Sequence, residues 1–152
     1  YSFPFEEWRW NKETDFYLLS LHLLCVKRLM EMLDQFYTIT KIESQTSTAW
    51  FEVALNPAHA VYDGHFPGMP VVPGVCTLMM VKSCFEQWKG KRFVFRLLNS
   101  CKFLTAIRPE RNRLLKIKLE EQECPEGLWG VSAQIYAGDQ LVFKLKANLS
   151  LR

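Results

Sequence analysis

Residues 64–75 read Gly-His-Phe-Pro-Gly-Met-Pro-Val-Val-Pro-Gly-Val. Prolines recur at every third position of this stretch. Each proline fixes its own φ angle and biases the residue before it toward extended backbone. The stretch is therefore predicted to be a stiff loop, and His65 is held in it.

The chain that follows this loop is predicted to be a buried helix. Val75 to Trp88 contains no Gly or Pro, and apolar residues cover much of its helical circumference. Such a helix is typically enclosed by a sheet rather than lying on a surface. Its first backbone N–H groups have no partners within the helix and carry a partial positive charge. The helix start at Gly74 can therefore bind a carbonyl oxygen.

Runs of β-branched and aromatic residues on both sides of the helix predict strands. Two strands precede the helix, and a series of antiparallel strands with short turns follows it. The predicted strands are Tyr37–Ile42, Thr48–Leu55, Phe93–Leu98, Leu114–Glu121, Trp129–Tyr136 and Leu141–Leu151. The predicted fold class is α+β, with an antiparallel sheet wrapped around one central apolar helix.

The first part of the chain does not follow this pattern. We interpret residues 1–30 as an N-terminal extension and residues 31–152 as the domain. Apolar residues at spacings of three and four between Leu18 and Gln35 predict an amphipathic helix. The apolar run Phe16–Val26 has 11 residues, whereas a membrane-spanning helix needs about 20. No membrane span is predicted.

Composition and charge argue against several kinds of partner. The chain has 152 residues and a net charge of +3, and its 19 basic and 16 acidic residues are spread along the sequence. No basic patch for nucleic acid stands out. The five cysteines include no C-x-x-C pair, which argues against a metal site and favours reduced thiols in the cytoplasm. No glycine-rich phosphate loop of the usual forms is present, so no cofactor is predicted.

His65 and the helix start together suit the removal of a proton next to a carbonyl group. A neutral imidazole can take the proton while the N–H donors stabilise the enolate-like oxygen. Histidine is suited to this role near neutral pH. A histidine in a proline-rich loop is also commonly a capping or packing residue, so the residue types alone leave both interpretations open.

The stretch from His65 to Val75 resembles, nearly position for position, the signature of the bacterial 3-hydroxyacyl-acyl-carrier-protein dehydratases. The resemblance extends over about residues 33–151. Within it, Ser100–Pro109 is similar to the strand that follows the family's helix, and Trp129–Leu151 is similar to its closing hairpin. Residues 1–30 fall outside the resemblance.

The resemblance implies a hot-dog fold and a homodimer whose two sheets join edge to edge, with active sites at the dimer interface. His65 would be the catalytic histidine, and the Gly74 N–H would polarise the thioester carbonyl. Phe66 and Val75 would be further substrate-binding residues. The reaction would convert a 3-hydroxyacyl thioester, held on an acyl carrier protein or CoA, to a trans-2-enoyl thioester in fatty-acid or related acyl-chain biosynthesis.

The helix departs from the family at one position. The family places Glu or Asp 14 residues after the histidine, and here that residue is Met79. A thioether cannot supply the proton that a leaving hydroxyl needs. Glu86 lies two helical turns further on and is a poor geometric substitute. Tyr62 and Asp63 are candidate auxiliary groups, although an aspartate before a glycine is commonly a turn residue.

Two further residues carry reactive groups near this region. His59 lies in the preceding loop, where a solvated or capping role is the favoured interpretation. Cys76 lies in the first helical turn, where the helix dipole favours a thiolate, whereas its apolar surroundings favour a packed thiol.

Three functions are consistent with the sequence. The first is a dehydratase that works with His65 and a replacement acid or water. The second is a catalytically silent hot-dog subunit that binds an acyl carrier or pairs with an active paralogue, and Met79 favours it. The third is an acyl thioesterase on the same fold, since fold does not determine reaction.

Overall fold

Antiparallel strands form one six-stranded sheet in the computed structural model, which describes residues 34–152. The strands are β1 (Tyr37–Ser44), β2 (Thr48–Leu55), β3 (Phe93–Phe103), β4 (Leu114–Gln122), β5 (Trp129–Ala137) and β6 (Gln140–Leu151). Their order across the sheet is β1-β2-β4-β5-β6-β3, so β1 and β3 are its edges. Between β2 and β3 the chain forms a short 3-10 helix, Ala60–Asp63, and the helix α1, Gly74–Lys89.

One face of the sheet packs against α1. In β2 alternate residues are buried, among them Phe51 and Val53, because successive strand side chains point to opposite faces. Met80 and Phe85 of the helix are each 1% exposed and belong to the same hydrophobic cluster. Burial of this apolar surface, at about 25 cal/mol per Å², is the main stabilising contribution. The predicted hot-dog arrangement is confirmed.

The helix is one residue longer at each end than the predicted Val75–Trp88. It ends at Gly90, which has a φ of 64°, and the Gly90 N–H donates to the carbonyl of Glu86. Glycine adopts this left-handed conformation without the steric cost that a Cβ atom brings.

The third strand was predicted too short, as Phe93–Leu98. It continues to Phe103 because two register shifts against β6, one after Phe95 and one after Leu98, keep the pairing intact. The polar residues Asn99 and Ser100 hid this continuation in the sequence. The other predicted strands agree with the structure to within two residues.

The predicted extension, residues 1–30, lies outside the described residues, as does most of the predicted helix Leu18–Gln35. Its last two residues, Asp34 and Gln35, form a turn in which Gln35 has a φ of 63°. The helix prediction is therefore wrong at its C-terminal end. Within residues 34–152, no helix is long and apolar enough to cross a membrane.

A buried ion pair joins the second half of α1 to the start of β3. The Lys82 Nζ donates to Glu86 Oε1 at 2.7 Å and to the Phe93 carbonyl at 3.1 Å. The same Glu86 oxygen accepts the Phe93 N–H at 2.9 Å. The Lys82 and Glu86 side chains are only 7% and 13% exposed. Their opposite charges neutralise each other, and both side chains hydrogen-bond to the backbone of Phe93.

We expect Lys82→Ala to lower the free energy of unfolding by about 3–5 kcal/mol, because it leaves the Glu86 carboxylate buried without its cation. The matched control is Lys41→Ala, which breaks an ion pair with Glu43 whose side chains are 56% and 62% exposed. That change should have little effect on stability, because water and salt screen an exposed ion pair. Urea unfolding of the full chain measures both, and equal losses would contradict the prediction.

Candidate active site

The loop before α1 closes on itself through backbone hydrogen bonds. The Val71 N–H donates to the His65 carbonyl at 3.0 Å. Within the segment that this bond closes, Phe66 and Met69 form two backbone hydrogen bonds to each other, with N···O distances of 3.1 and 2.9 Å. Gly68 supports the turn with a φ of 74°, and the His65–Phe66 peptide bond is cis. The backbone around His65 is thus held from both sides.

The His65 ring is oriented by a backbone carbonyl. Its Nδ1 lies 3.4 Å from the Val71 oxygen, and it stacks on Phe66 with ring centroids 4.4 Å apart. A carbonyl can only accept, so in the neutral ring Nδ1 carries the proton and Nε2 keeps its lone pair. Among residues 34–152, Nε2 has no hydrogen-bond partner. The half-buried ring therefore offers a base at Nε2.

The start of α1 presents free backbone donors. Its N-cap residue, Pro73, has no side chain that can cap the helix, and the first turn contains no acidic residue. Hydrogen bonding begins with the Thr77 N–H, which donates to the Pro73 carbonyl at 3.1 Å. Within the described part of the chain, the N–H groups of Gly74 and Val75 have no acceptor. They can bind a carbonyl oxygen or an oxyanion.

Glycine fits position 74 because an aromatic ring lies close to it. A Cβ atom placed on Gly74 would lie 3.0 Å from Cζ of Phe103 on β3. Any larger residue would push that ring away from the helix start.

A short hydrogen-bonded segment connects the residue that contacts the His65 ring to the helix start. The carbonyl of Val71 faces the His65 ring, and the next residue, Val72, donates its N–H to the Ile107 carbonyl at 2.8 Å. The helix begins two residues later, at Gly74. Only two residues, Val72 and Pro73, thus separate Val71, whose carbonyl orients the His65 ring, from Gly74, which carries the first free donor.

Neither auxiliary candidate bonds to the His65 ring. Asp63 is exposed, and the ring is held by Val71 instead. Tyr62 is buried in the core, with its ring centroid 5.9 Å from that of Phe36. Its hydroxyl has no hydrogen-bond partner among residues 34–152. Burial, and to a lesser extent the nearby Cys76, raises the pKa of this hydroxyl well above its usual value.

The position of the expected acid is filled by an apolar side chain. Met79 is 7% exposed and offers no proton. Glu86 is engaged with Lys82 and Phe93. It lies about 18 Å along the helix axis from Gly74, so it does not replace the missing acid.

The remaining sequence candidates have structural roles. The Nδ1 of His59 accepts the Val61 N–H at 3.1 Å, and its Nε2 lies 3.1 Å from the Asp34 carbonyl. This confirms the capping interpretation. Cys76 is 1% exposed, and burial raises its pKa to about 11, so it is a packed, protonated thiol at neutral pH. Residues 34–152 contain no group of three or more His, Cys, Asp or Glu side chains placed to hold a metal ion.

Two residues that shape the site were not found from the sequence. Val71 acts through its backbone carbonyl, which no residue type reveals. Phe103 covers Gly74 only because β3 is longer than predicted. The one sequence signal for Phe103 was its aromatic side chain, which it shares with Phe93 and Phe95 of the same strand.

A protein-family model described as ApeI-like, ApeI dehydratase, matches residues 41–133. This match includes the loop, the whole of α1 and the first five strands in part or in full. It therefore covers both His65 and the helix start at Gly74.

Curated relatives are named 3-hydroxyacyl-[acyl-carrier-protein] dehydratase FabZ. The protein from Latilactobacillus sakei is 36% identical in an alignment 76 positions long that covers 45% of this chain and 53% of that protein. The protein from Syntrophobacter fumaroxidans is 27% identical in an alignment 112 positions long that covers 68% of this chain and 74% of that protein. The first match thus spans only about half the length of the relative.

Solved structures share the fold at low sequence identity. One is described as the dehydratase heterocomplex ApeI:P from Xenorhabdus doucetiae, with a TM-score of 0.60, 22% identity, and coverage of 76% of this chain and 97% of that chain. Another is Cj0977, a sigma28-regulated virulence protein from Campylobacter jejuni, with a TM-score of 0.59, 11% identity, and coverage of 79% and 86%. At these identities the likeness concerns the fold alone.

We expect Tyr62→Phe to raise the free energy of unfolding by about 1 kcal/mol, because a buried hydroxyl without a partner carries an uncompensated desolvation cost of about 1–3 kcal/mol. Thermal or urea unfolding measures the change. Tyr136→Phe is the matched control, since the Tyr136 hydroxyl donates to Gln134 Oε1 at 2.9 Å. Destabilisation by Tyr62→Phe would show that the hydroxyl has a partner, such as a buried water molecule.

Proposed function

We propose that this chain, which belongs to the ApeI-like dehydratase family, removes water from a 3-hydroxyacyl thioester to give a trans-2-enoyl thioester. One observation carries the proposal. The His65 ring is held through Nδ1 by the Val71 carbonyl, so that Nε2 is a base, and the uncapped start of α1 follows three residues later. The dehydratase names of the relatives support it.

His65 and the free N–H groups at the start of α1 act together in the first step. Nε2 of His65 takes a proton from the carbon next to the thioester carbonyl. The carbonyl oxygen gains negative charge as that C–H bond breaks, and the Gly74 and Val75 N–H groups at the helix start donate to it. Because these donors are already in place, little reorganisation is needed as the charge develops.

The second step must give a proton to the leaving hydroxyl. Met79 cannot supply it, and the described chain places no other acid in bonding contact with His65. The imidazolium formed in the first step carries the proton that is needed. His65 returns it to the hydroxyl as the C–O bond breaks and the C=C bond forms, so one molecule of water leaves and the ring becomes neutral again.

The acyl chain is proposed to arrive on a phosphopantetheine arm, and the names of the relatives favour an acyl carrier protein as its carrier. Phe66 is 46% exposed and stacks on the catalytic ring, so it can contact the incoming arm. A cytoplasmic location and edge-to-edge pairing of two hot-dog subunits belong to this proposal. The four described cysteines, all unpaired, are compatible with a reducing compartment.

A second candidate function follows from Met79. In it the chain is a silent subunit that pairs with a paralogue carrying the acid, and turnover takes place only in the mixed complex. The burial of an apolar side chain at the acid position favours this candidate, and so does the description of one structural neighbour as a dehydratase heterocomplex.

The test is hydration of a crotonyl thioester, the reverse reaction, followed by loss of enoyl absorbance. We expect the natural chain to catalyse it and His65→Ala to lose about 10²–10⁴-fold in rate, the contribution of a positioned acid–base group. His59→Ala is the matched histidine control. It removes a loop cap, so we expect it to keep activity near the natural level.

The same assay separates the alternatives. If the natural chain is inactive and Met79→Glu gains activity, the silent-subunit function replaces the proposed one. Release of free thiol instead of hydration would identify a thioesterase. If His65→Ala and His59→Ala retain equal activity, His65 is not the base.

A further inference from the structure

The hydroxyl of Tyr62 is a buried polar group that the fold leaves without a partner. Tyr62 is 6% exposed, and its hydroxyl forms no hydrogen bond within residues 34–152. Such a group weakens the fold, because it gives up its bonds to water and gains none in exchange. Native proteins keep few of them, and a ligand that supplies the missing bond is a reason for keeping one.

Tyr62 lies beside the helix start that is free to bind a carbonyl oxygen. The His65 N–H donates to the Tyr62 carbonyl at 3.4 Å, which ties the residue to the candidate base. On its other side, Tyr62 is close enough to Cys76 for that thiol to add to the effect of burial on its pKa. Cys76 directly follows Gly74 and Val75 in the first turn of α1. The hydroxyl is thus next to the turn that carries the free N–H donors.

The Tyr62 hydroxyl keeps its proton at neutral pH. Burial is the main cause that raises its pKa well above the usual value for tyrosine. The ring is held in the core against Phe36. The hydroxyl is therefore a neutral group in a fixed position, and it can donate a hydrogen bond to an oxygen atom of a ligand.

We propose that the Tyr62 hydroxyl binds the 3-hydroxyl of a 3-hydroxyacyl thioester and so selects hydroxylated acyl chains over plain ones. The inference rests on the proposed function. It deepens that function by naming a residue that recognises the leaving group of the substrate. Such a residue matters here because the helix offers only the thioether of Met79 at the position of the expected acid.

The direction of the acyl chain supports this pairing. With the thioester carbonyl at the Gly74 and Val75 N–H groups, the carrier arm extends past the exposed Phe66 and the acyl chain extends toward the interior. Tyr62 lies on that interior side, next to the residue that follows Val75. The 3-hydroxyl is the polar group of the acyl chain closest to the carbonyl, so it is the group that the buried hydroxyl meets.

The same hydrogen bond assists the departure of the hydroxyl. The 3-hydroxyl oxygen gains negative charge as its C–O bond breaks, and a hydrogen bond from Tyr62 stabilises that charge. Tyr62 keeps its own proton throughout. The proton that completes the water molecule still comes from the His65 imidazolium.

A double-mutant cycle measures this contact without relying on turnover. Its two changes are Tyr62→Phe in the chain and removal of one oxygen from the ligand, from 3-hydroxybutyryl-pantetheine to butyryl-pantetheine. All chains also carry His65→Ala, so that the ligand is not consumed, and calorimetry gives the dissociation constants. We expect the chain with Tyr62 to bind the hydroxylated thioester about tenfold more tightly than the plain one, the effect of one enclosed neutral hydrogen bond. With Tyr62→Phe the two should bind equally.

Tyr136→Phe is the matched control, because it removes the same oxygen from a residue of β5 whose hydroxyl already donates to Gln134. It should keep the tenfold preference, and circular dichroism checks that each variant folds. The inference is overturned if the chain with Tyr62 shows no preference, or if the preference persists in Tyr62→Phe. Equal binding of the two thioesters overturns the inference alone, whereas binding of neither overturns the proposed function with it.

Discussion

The enclosure of α1 by the sheet is the constraint on which the rest of the molecule depends. A helix with Met80 and Phe85 buried at 1% exposure must begin beside the sheet. Its first N–H groups have no acceptor within the helix. The proline-spaced loop delivers the chain to that point and fixes His65 on the way. A single packing requirement thus produces both the free N–H donors at the helix start and the position of His65.

The parts of the fold that depend on residue type could be predicted from the sequence. The apolar Val75–Trp88 predicted the central helix, and β-branched runs predicted all six strands, because periodicity reflects burial directly. His65 and Gly74 were singled out as candidate site residues from their motif. The Val71 carbonyl and the Phe93 backbone groups could not be predicted, since any residue supplies them. Tertiary pairing alone decides where they point.

The two ends of α1 make different uses of polar groups. At the start, the donors of Gly74 and Val75 are left without acceptors. In the second half, Lys82 and Glu86 are buried but fully engaged with Phe93. The N–H groups without acceptors thus lie at the helix start, where a ligand can bind, and the buried charges lie where other protein groups pair with them. Glu86 is therefore a structural carboxylate although it shares the helix with the acid position that Met79 occupies.

Through the ring of Phe103, the edge strand β3 also contacts the start of the helix. The ring covers the helix start at Gly74, and its own strand is the open edge of the sheet. A partner bound along that edge and a ligand bound at the helix start would therefore act on the same strand. The two binding equilibria would then be coupled reciprocally. If binding of a partner subunit changed the affinity for the thioester by some factor, binding of the thioester would change the affinity for the subunit by the same factor.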